Sequence, residues 1–146
     1  MKVYLDNCCF NRPFDDQTML TIRLETEAKL AIQEKIKTGQ LALAWSYILD
    51  YENQANPFLE RRLEIQRWKE LADTFIDETE QTLTRLDQLT NLGLKPLDAL
   101  HVACALASSC QYFLTVDRSI LGKAARITSI TLINPINFLM DLEGLA

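Results

Sequence analysis

The sequence has few of the residues from which several common kinds of functional site are built. It has one histidine, His101, and four cysteines that follow neither a disulfide pattern nor a zinc-binding spacing: Cys8, Cys9, Cys104 and Cys110. No apolar run approaches the roughly 20 residues that cross a bilayer, and the start of the chain does not resemble a signal peptide. We therefore expect a cytoplasmic protein whose cysteines are reduced and packed in its interior.

Positive charge is also in deficit, since 15 lysines and arginines stand against 20 aspartates and glutamates, for a net charge of −5. A large surface for sequence-independent DNA binding needs a basic domain, so the charge argues against one. The net charge does not exclude a nucleic-acid substrate that is held locally by metal ions and a few arginines. The length of 146 residues, with 48% hydrophobic residues, predicts a single domain over 1–146 with its own core.

Short apolar runs alternate with amphipathic segments along the chain. The runs predict strands at 2–5, 41–45, 112–116 and within 127–133. The segments between them predict helices, among them 17–37, 46–54, 96–109 and 118–126, and a C-terminal helix that begins at Asn134-Pro135. Strands separated by helices indicate an α/β fold with a parallel sheet and right-handed crossovers.

The middle of the chain is predicted to be entirely helical. Asn56-Pro57 has the composition of an N-cap followed by a first helical residue, and the apolar residues of 58–75 recur at helical spacing. Asp77 with Glu80 resembles a capping box for a further helix that Gly93 ends. This interpretation leaves no strand between 46 and 111.

Four acidic residues occupy positions that place them at one edge of the predicted sheet. Asp6 ends the first predicted strand and Asp117 ends the third. Glu52 lies two turns into the helix that leaves the second strand, and Asp98 lies in the first turn of the helix before the third. Parallel sheets bind ligands at the carboxyl ends of their strands. Carboxylates gathered there repel one another unless a cation such as Mg²⁺ or Mn²⁺ joins them, and such a site suits metal-assisted hydrolysis of a phosphodiester.

At these residues the chain resembles the PIN-domain family of metal-dependent ribonucleases. The matching text is VYLDNC around Asp6, SYILDYE ending at Glu52, PLDALHVACAL around Asp98 and FLTVDRS around Asp117. The resemblance implies a three-layer α/β/α sandwich with a central, mainly parallel sheet of about 4–5 strands. It also implies Mg²⁺- or Mn²⁺-dependent cleavage of single-stranded RNA. Many small bacterial members resemble VapC-type toxins, which are commonly homodimers silenced by a small antitoxin protein.

Carried over to this sequence, the resemblance makes Asp6, Glu52, Asp98 and Asp117 the catalytic and metal-binding set. Asp50 is an alternative to Glu52, but it points to a different side of its helix. The spacing of six residues from Ser46 favours Glu52.

Four further residues are candidates for supporting contacts. Thr115 matches a family hydroxyl and is expected to orient Asp117 or a metal-bound water. Asn7 stands where many members have Thr or Ser, and it still donates a hydrogen bond. Arg12 and Arg118, beside the expected site, are candidates for holding phosphate groups.

Structural explanations exist for several of these residues. Asp98 is suited to stabilise the positive end of its helix, and Asp117 is suited to cap the next helix. His101, three residues after Asp98, is interpreted as a hydrogen-bonded packing residue, with a contact to the site as the alternative.

Two other functions compete with the nuclease: a PIN-like binding scaffold, and a phosphoacceptor domain with Asp6 as nucleophile. The latter usually needs another acid beside the first, where this chain has Asn7.

Overall fold

A sheet of five parallel strands forms the centre of the structure, a computed structural model that describes residues 1–144. The strands lie in the order β3-β2-β1-β4-β5, and each neighbouring pair is parallel. Their bounds are β1 Lys2–Leu5, β2 Ala42–Ser46, β3 Thr74–Ile76, β4 Tyr112–Leu114 and β5 Thr131–Ile133. The helices are α1 Asn7–Asn11, α2 Leu20–Lys37, α3 Tyr47–Gln54, α4 Leu59–Lys69, α5 Glu80–Asn91, α6 Pro96–Ala107, α7 Arg118–Leu121 and α8 Pro135–Leu142.

The central strand β1 shows why the sheet is covered on both faces. Val3, Tyr4 and Leu5 are successive residues, so their side chains point to alternating faces, yet all three are fully buried. Helices must therefore pack on each side of the sheet, as the alternation of strands and helices along the sequence indicated. The predicted α/β fold is confirmed.

The parallel arrangement brings the ends of β1 and β4 together. Leu5 pairs with Leu114, and the backbone N–H of Asp6 donates to the carbonyl of Leu114 at 2.9 Å. Asp6 and Thr115, each the next residue after its strand, therefore lie side by side at the carboxyl edge.

The middle of the chain differs from the sequence prediction. The side chain of Asn56 accepts a hydrogen bond from the N–H of Phe58 at 3.1 Å, closing a turn, and α4 begins only after it. The helix ends at Lys69, and Phe75 lies in β3, which the sequence did not predict. This strand is three residues long and lies at the edge of the sheet with Phe75 exposed, so it has no apolar run that distinguishes it from a helix.

The capping residues of α5 also differ. Thr79 accepts from the N–H of Thr82 at 3.2 Å, and the Thr82 hydroxyl accepts from the N–H of Thr79 at 3.0 Å. This reciprocal pair takes the place of the predicted Asp77–Glu80 box, because a threonine hydroxyl at the third helical position satisfies the same backbone donor. The side chain of Asp77 accepts from its neighbour Glu78 instead, at 2.9 Å.

Other boundaries are shorter than predicted. Segment 118–126 holds α7 and a separate 3₁₀ turn at Ala124–Arg126, and only Thr131–Ile133 of 127–133 is a strand. Asp117 follows the fourth strand rather than the third, because β3 was missed. The helix starts at Ser46, Pro96 and Asn134 are confirmed. Among residues 1–144, no helix has both the length and the apolarity that a membrane span requires.

Candidate active site

Asp6 is the most buried of the four predicted acids, with 7% of its surface exposed. Its Oδ1 accepts from the N–H of Asn7 at 2.8 Å, so the carboxylate caps α1. Its Oδ2 accepts from the hydroxyl of Thr115 at 2.8 Å, and that hydroxyl in turn accepts from the N–H of Asp117 at 3.1 Å. Thr115, itself fully buried, thus links the acid after β1 to the backbone of the acid after β4.

Asp98 joins these two acids from the first turn of α6. Its burial, and then the negative charges of Asp6 and Asp117, raise the pKa of its carboxyl group, although the positive charge of Lys95 acts in the opposite direction. The structure therefore brings three of the predicted acids within electrostatic reach of one another. Asp117 also serves as the N-cap of α7.

Glu52 is held by a different set of groups. One of its carboxylate oxygens contacts Nε2 of His101, and Nδ1 of the same ring lies 2.6 Å from the hydroxyl of Tyr4. The Tyr4 hydroxyl lies 2.6 Å from that of Ser46, which accepts from the N–H of Leu49 at 3.3 Å and so caps α3. A buried hydrogen-bond chain thus connects the start of α3 to the carboxylate near its end.

The direction of the hydrogen bonds in this chain follows from the donors available. Burial raises the pKa of the Tyr4 hydroxyl well above its ordinary value, so the phenol keeps its proton. If Ser46 donates to Tyr4 and Tyr4 donates to Nδ1 of His101, the ring carries its proton on Nε2 and donates it to Glu52. We assign this tautomer because it gives every hydroxyl one acceptor. His101 is thus a packed, hydrogen-bonded histidine that also orients Glu52.

The three other predicted supporting residues, Arg12, Arg118 and Asn7, differ in what their side chains contact. Arg12 is engaged elsewhere, with Glu25 at 2.8 Å and Asp15 at 3.1 Å. Arg118 is exposed at the start of α7, next to Asp117 in the chain. Asn7 reaches Asp6 through its backbone, while its side-chain Oδ1 is buried and has no hydrogen-bond partner among the described residues.

Sequence reasoning missed Tyr4 and Ser46 as parts of the site. Ser46 was predicted only as a helix cap, and Tyr4 lies inside a buried strand where an aromatic residue is expected to pack. Their partner His101 is 97 residues from Tyr4, so no local spacing reveals the contact. All four cysteines are free, and Cys9, Cys104 and Cys110 are buried as expected. Cys8 differs from the prediction, because it is only partly buried and its thiol lies 3.4 Å from both Oδ2 of Asp6 and the hydroxyl of Thr115.

The donor set at this edge fits a hard divalent cation. The groups that converge are carboxylates and the hydroxyl of Thr115, and all of them offer oxygen. Within residues 1–144, however, no three His, Cys, Asp or Glu side chains form a preformed metal cage. The carboxylates of Asp6 and Asp117 are thus near enough to raise the pKa of Asp98 without forming a closed cluster with it.

Comparisons with known proteins support the fold. No protein-family model and no curated protein matches the sequence. By structure, the chain is similar to one in VapBC2 from Rickettsia felis, solved bound to a DNA fragment from its promoter, with a TM-score of 0.58 and 16% identity over 92% of this chain and 98% of that one. It is also similar to one in FitAcB from Neisseria gonorrhoeae, with a TM-score of 0.60 and 15% identity over 91% of this chain and 97% of that one. Identity at this level shows the fold alone, and the fold is the PIN-like one that the sequence predicted.

Proposed function

We propose that this chain is a divalent-metal-dependent endoribonuclease that hydrolyses phosphodiester bonds of single-stranded RNA. The observation that carries the proposal is the convergence of Asp6, Asp98 and Asp117 at the carboxyl edge of a parallel sheet. This edge is where α/β folds bind their ligands, and carboxylates that raise one another's pKa are typical of metal and catalytic sites. The resemblance of four sequence segments to PIN-domain motifs and the PIN-like fold support the same proposal.

A bound Mg²⁺ or Mn²⁺ would supply an activated water and neutralise charge on the scissile phosphate. The residues that would hold it are Asp6, Asp98 and Asp117, with Glu52 as the fourth carboxylate. Thr115 and the thiol of Cys8 fix the orientation of Asp6 by donating to its Oδ2, and the N–H of Asn7 donates to its Oδ1, so Oδ1 keeps lone-pair capacity for one further partner. His101 restrains Glu52 in the same way, so two of the four acids are oriented by buried neighbours before any substrate binds.

The RNA contacts in this proposal are local rather than spread over a basic surface. Arg118, exposed beside Asp117, is the arginine best placed to attract a phosphate group. Arg12 would first have to release Glu25 and Asp15. With a net charge of −5, we expect RNA binding to depend strongly on the divalent cation.

We further propose that the protein is the toxin of a toxin–antitoxin pair, active in the cytoplasm as a homodimer. VapBC2 and FitAcB, whose chains share the fold, support a small antitoxin partner. Exposed apolar side chains on α3 and α4, namely Tyr51, Leu59 and Leu63, offer contact surface for such a partner or a second copy. Expression in a bacterial host should arrest growth, and Asp98→Asn should relieve the arrest.

The direct test is cleavage of a fluorescent single-stranded RNA by the purified protein. We expect cleavage with Mn²⁺ or Mg²⁺, none with EDTA, and a loss of about 100-fold or more in Asp6→Asn and Asp98→Asn, as is usual when an essential catalytic group is removed. Asp87→Asn is the matched control, because Asp87 is an exposed acid on α5, outside this edge of the sheet. Cleavage that survives EDTA, or that both site variants retain, would contradict the mechanism.

One observation favours the alternative of a binding scaffold with little catalysis, namely that residues 1–144 contain no closed metal cage. Calorimetry with Mn²⁺ distinguishes the two functions. Heat of binding that Asp98→Asn abolishes supports the nuclease, whereas no binding at millimolar metal together with no cleavage supports the scaffold.

A further inference from the structure

A cavity of about 210 Å³ lies between α2 and α4. Most of its wall is apolar, with the rings of Phe10, Phe14 and Trp68 as the largest contributors. None of the four acids of the candidate active site lines it. The cavity is therefore separate from the carboxyl edge of the sheet.

Two hydrogen-bond donors on α2 face this cavity. Lys29 and Gln33 are one helical turn apart and each is 4% exposed. Within residues 1–144 the ammonium group of Lys29 makes no hydrogen bond or ion pair but keeps some contact with solvent, whereas the fully buried Nε2 of Gln33 has no partner. Glu64 also lines the cavity, but its carboxylate is paired with Arg67 at 3.2 Å.

The surroundings of Lys29 only partly replace the water that it has lost. Its ammonium lies 5.5 Å from the ring centre of Phe10 and 5.7 Å from that of Trp68, which is a cation–π arrangement. Burial nevertheless lowers the pKa of Lys29 to about 8. Buried donors without acceptors are unfavourable, and a ligand that supplies an acceptor removes the penalty.

We propose that this cavity binds a small organic carboxylate with an aromatic or branched apolar body. The carboxylate accepts hydrogen bonds from Lys29 and Gln33, and the body packs among the aromatic rings. The volume is sufficient, because an apolar cavity of about 150 Å³ holds a benzene molecule. One cation matches one carboxylate, whereas a phosphate dianion would bring an unpaired charge against an apolar wall.

The inference does not depend on the proposed nuclease activity, since the two sites share no residue. It predicts that charge and shape are both required of the ligand. Acetate has the charge without the body, and phenylacetamide has the body without the charge.

The experiment is a titration of the purified full chain with phenylacetate, followed by calorimetry. We expect saturable binding, with phenylacetamide and acetate each weaker by about tenfold or more, because a hydrogen bond to a charged group and burial of a ring are each worth at least that factor. Lys29→Met should remove the preference for the acid over the amide. Lys37→Met is the matched control, since Lys37 lies on the same helix, 5.3 Å from the Trp68 ring, but is exposed and does not line the cavity.

Gln33→Leu provides a second test if Lys29→Met does not fold: phenylacetate should bind more weakly because its carboxylate loses one of two donors, while the preference for the acid over the amide, which comes from the charge of Lys29, should persist. Several results would overturn the proposal: no saturable binding at millimolar phenylacetate, equal affinity for acid and amide, or unchanged affinity in Lys29→Met. Binding restricted to the C-terminal carboxylate of a longer peptide would likewise count against a small acid as the ligand.

Discussion

Removal of the Tyr4 hydroxyl tests whether the buried hydrogen-bond chain holds Glu52 in place. Tyr4→Phe keeps the ring, which stacks on Phe113 at 5.3 Å and meets His101 edge-on at 5.7 Å. The Tyr4 hydroxyl bonds the hydroxyl of Ser46 and Nδ1 of His101, and both residues are almost completely buried, so no water replaces the lost partner. An unsatisfied buried polar group costs about 1–3 kcal/mol, and we expect the free energy of unfolding to fall by about that amount.

The same variant should alter the site, because Nδ1 of His101 loses the Tyr4 hydroxyl that donates to it and fixes the tautomer of the ring. Changes to groups that orient a ligand side chain typically reduce metal affinity or activity by about 10–100-fold. We expect a loss in that range for Mn²⁺ affinity, measured by calorimetry, and for RNA cleavage. Urea denaturation, monitored by tryptophan fluorescence, gives the stability change on the same protein samples.

Tyr112→Phe is the control for this experiment. Tyr112 is half-buried, its ring packs edge-on against Phe138 at 4.9 Å, and its hydroxyl makes no hydrogen bond within the described residues. We expect its stability to change by less than about 0.5 kcal/mol. If Tyr4→Phe is no more destabilising than this control, the hydrogen-bond chain contributes nothing. If it destabilises the fold but leaves Mn²⁺ affinity unchanged, the chain is structural and does not position Glu52.

For three other side chains, the surroundings predict whether a substitution or a change of pH raises or lowers the stability of the fold. Asp98→Asn should raise the melting temperature at pH 7 in EDTA, because burial, Asp6 and Asp117 raise the pKa of Asp98 and so make its negative charge unfavourable. With added Mn²⁺ the wild type should instead have the higher melting temperature, because only the wild type is stabilised by the metal. Burial lowers the pKa of Lys29 to about 8 from 10.5, so the unfolded chain holds more protons between these values. The wild-type free energy of unfolding should therefore rise by about 2 kcal/mol more than that of Lys29→Met from pH 8 to 10, measured by chemical denaturation. Burial raises the pKa of Tyr47 to about 12 and its hydroxyl has no partner within residues 1–144, so Tyr47→Phe should leave urea stability unchanged or higher, and a loss above about 1 kcal/mol would reveal a missed hydrogen bond.

The parts of the fold that the sequence predicts are those with strong local signals. The run Val3-Tyr4-Leu5 is apolar without alternation because both faces of β1 are covered, and Ser46 starts α3 because its hydroxyl meets a free backbone N–H. The edge strand β3 lacks such a signal, since it is short and Phe75 is exposed. Helical spacing in that region also misleads, because Leu63 fits the period yet faces solvent while the buried side of α4 is set by tertiary contacts.

The candidate site divides in the same way between local and distant information. The positions of Asp6, Asp98 and Asp117 follow from strand and helix ends, which are visible in the sequence. The contact between His101 and Tyr4 joins residues far apart in the chain, so only the folded structure reveals that Glu52 is held by a buried histidine.

The acids at this edge have structural as well as chemical roles, and this decides which substitutions are informative. Asp6 caps α1, and Asp117 caps α7 by accepting from the N–H of Ser119 at 2.8 Å. Replacement by Ala removes a cap worth about 1 kcal/mol along with the charge, so lost activity in an Ala variant has two explanations. Asn caps a helix about as well as Asp but carries no charge. Inactivity of the Asn variants with their helix caps intact would therefore locate the function in the carboxylate charge itself.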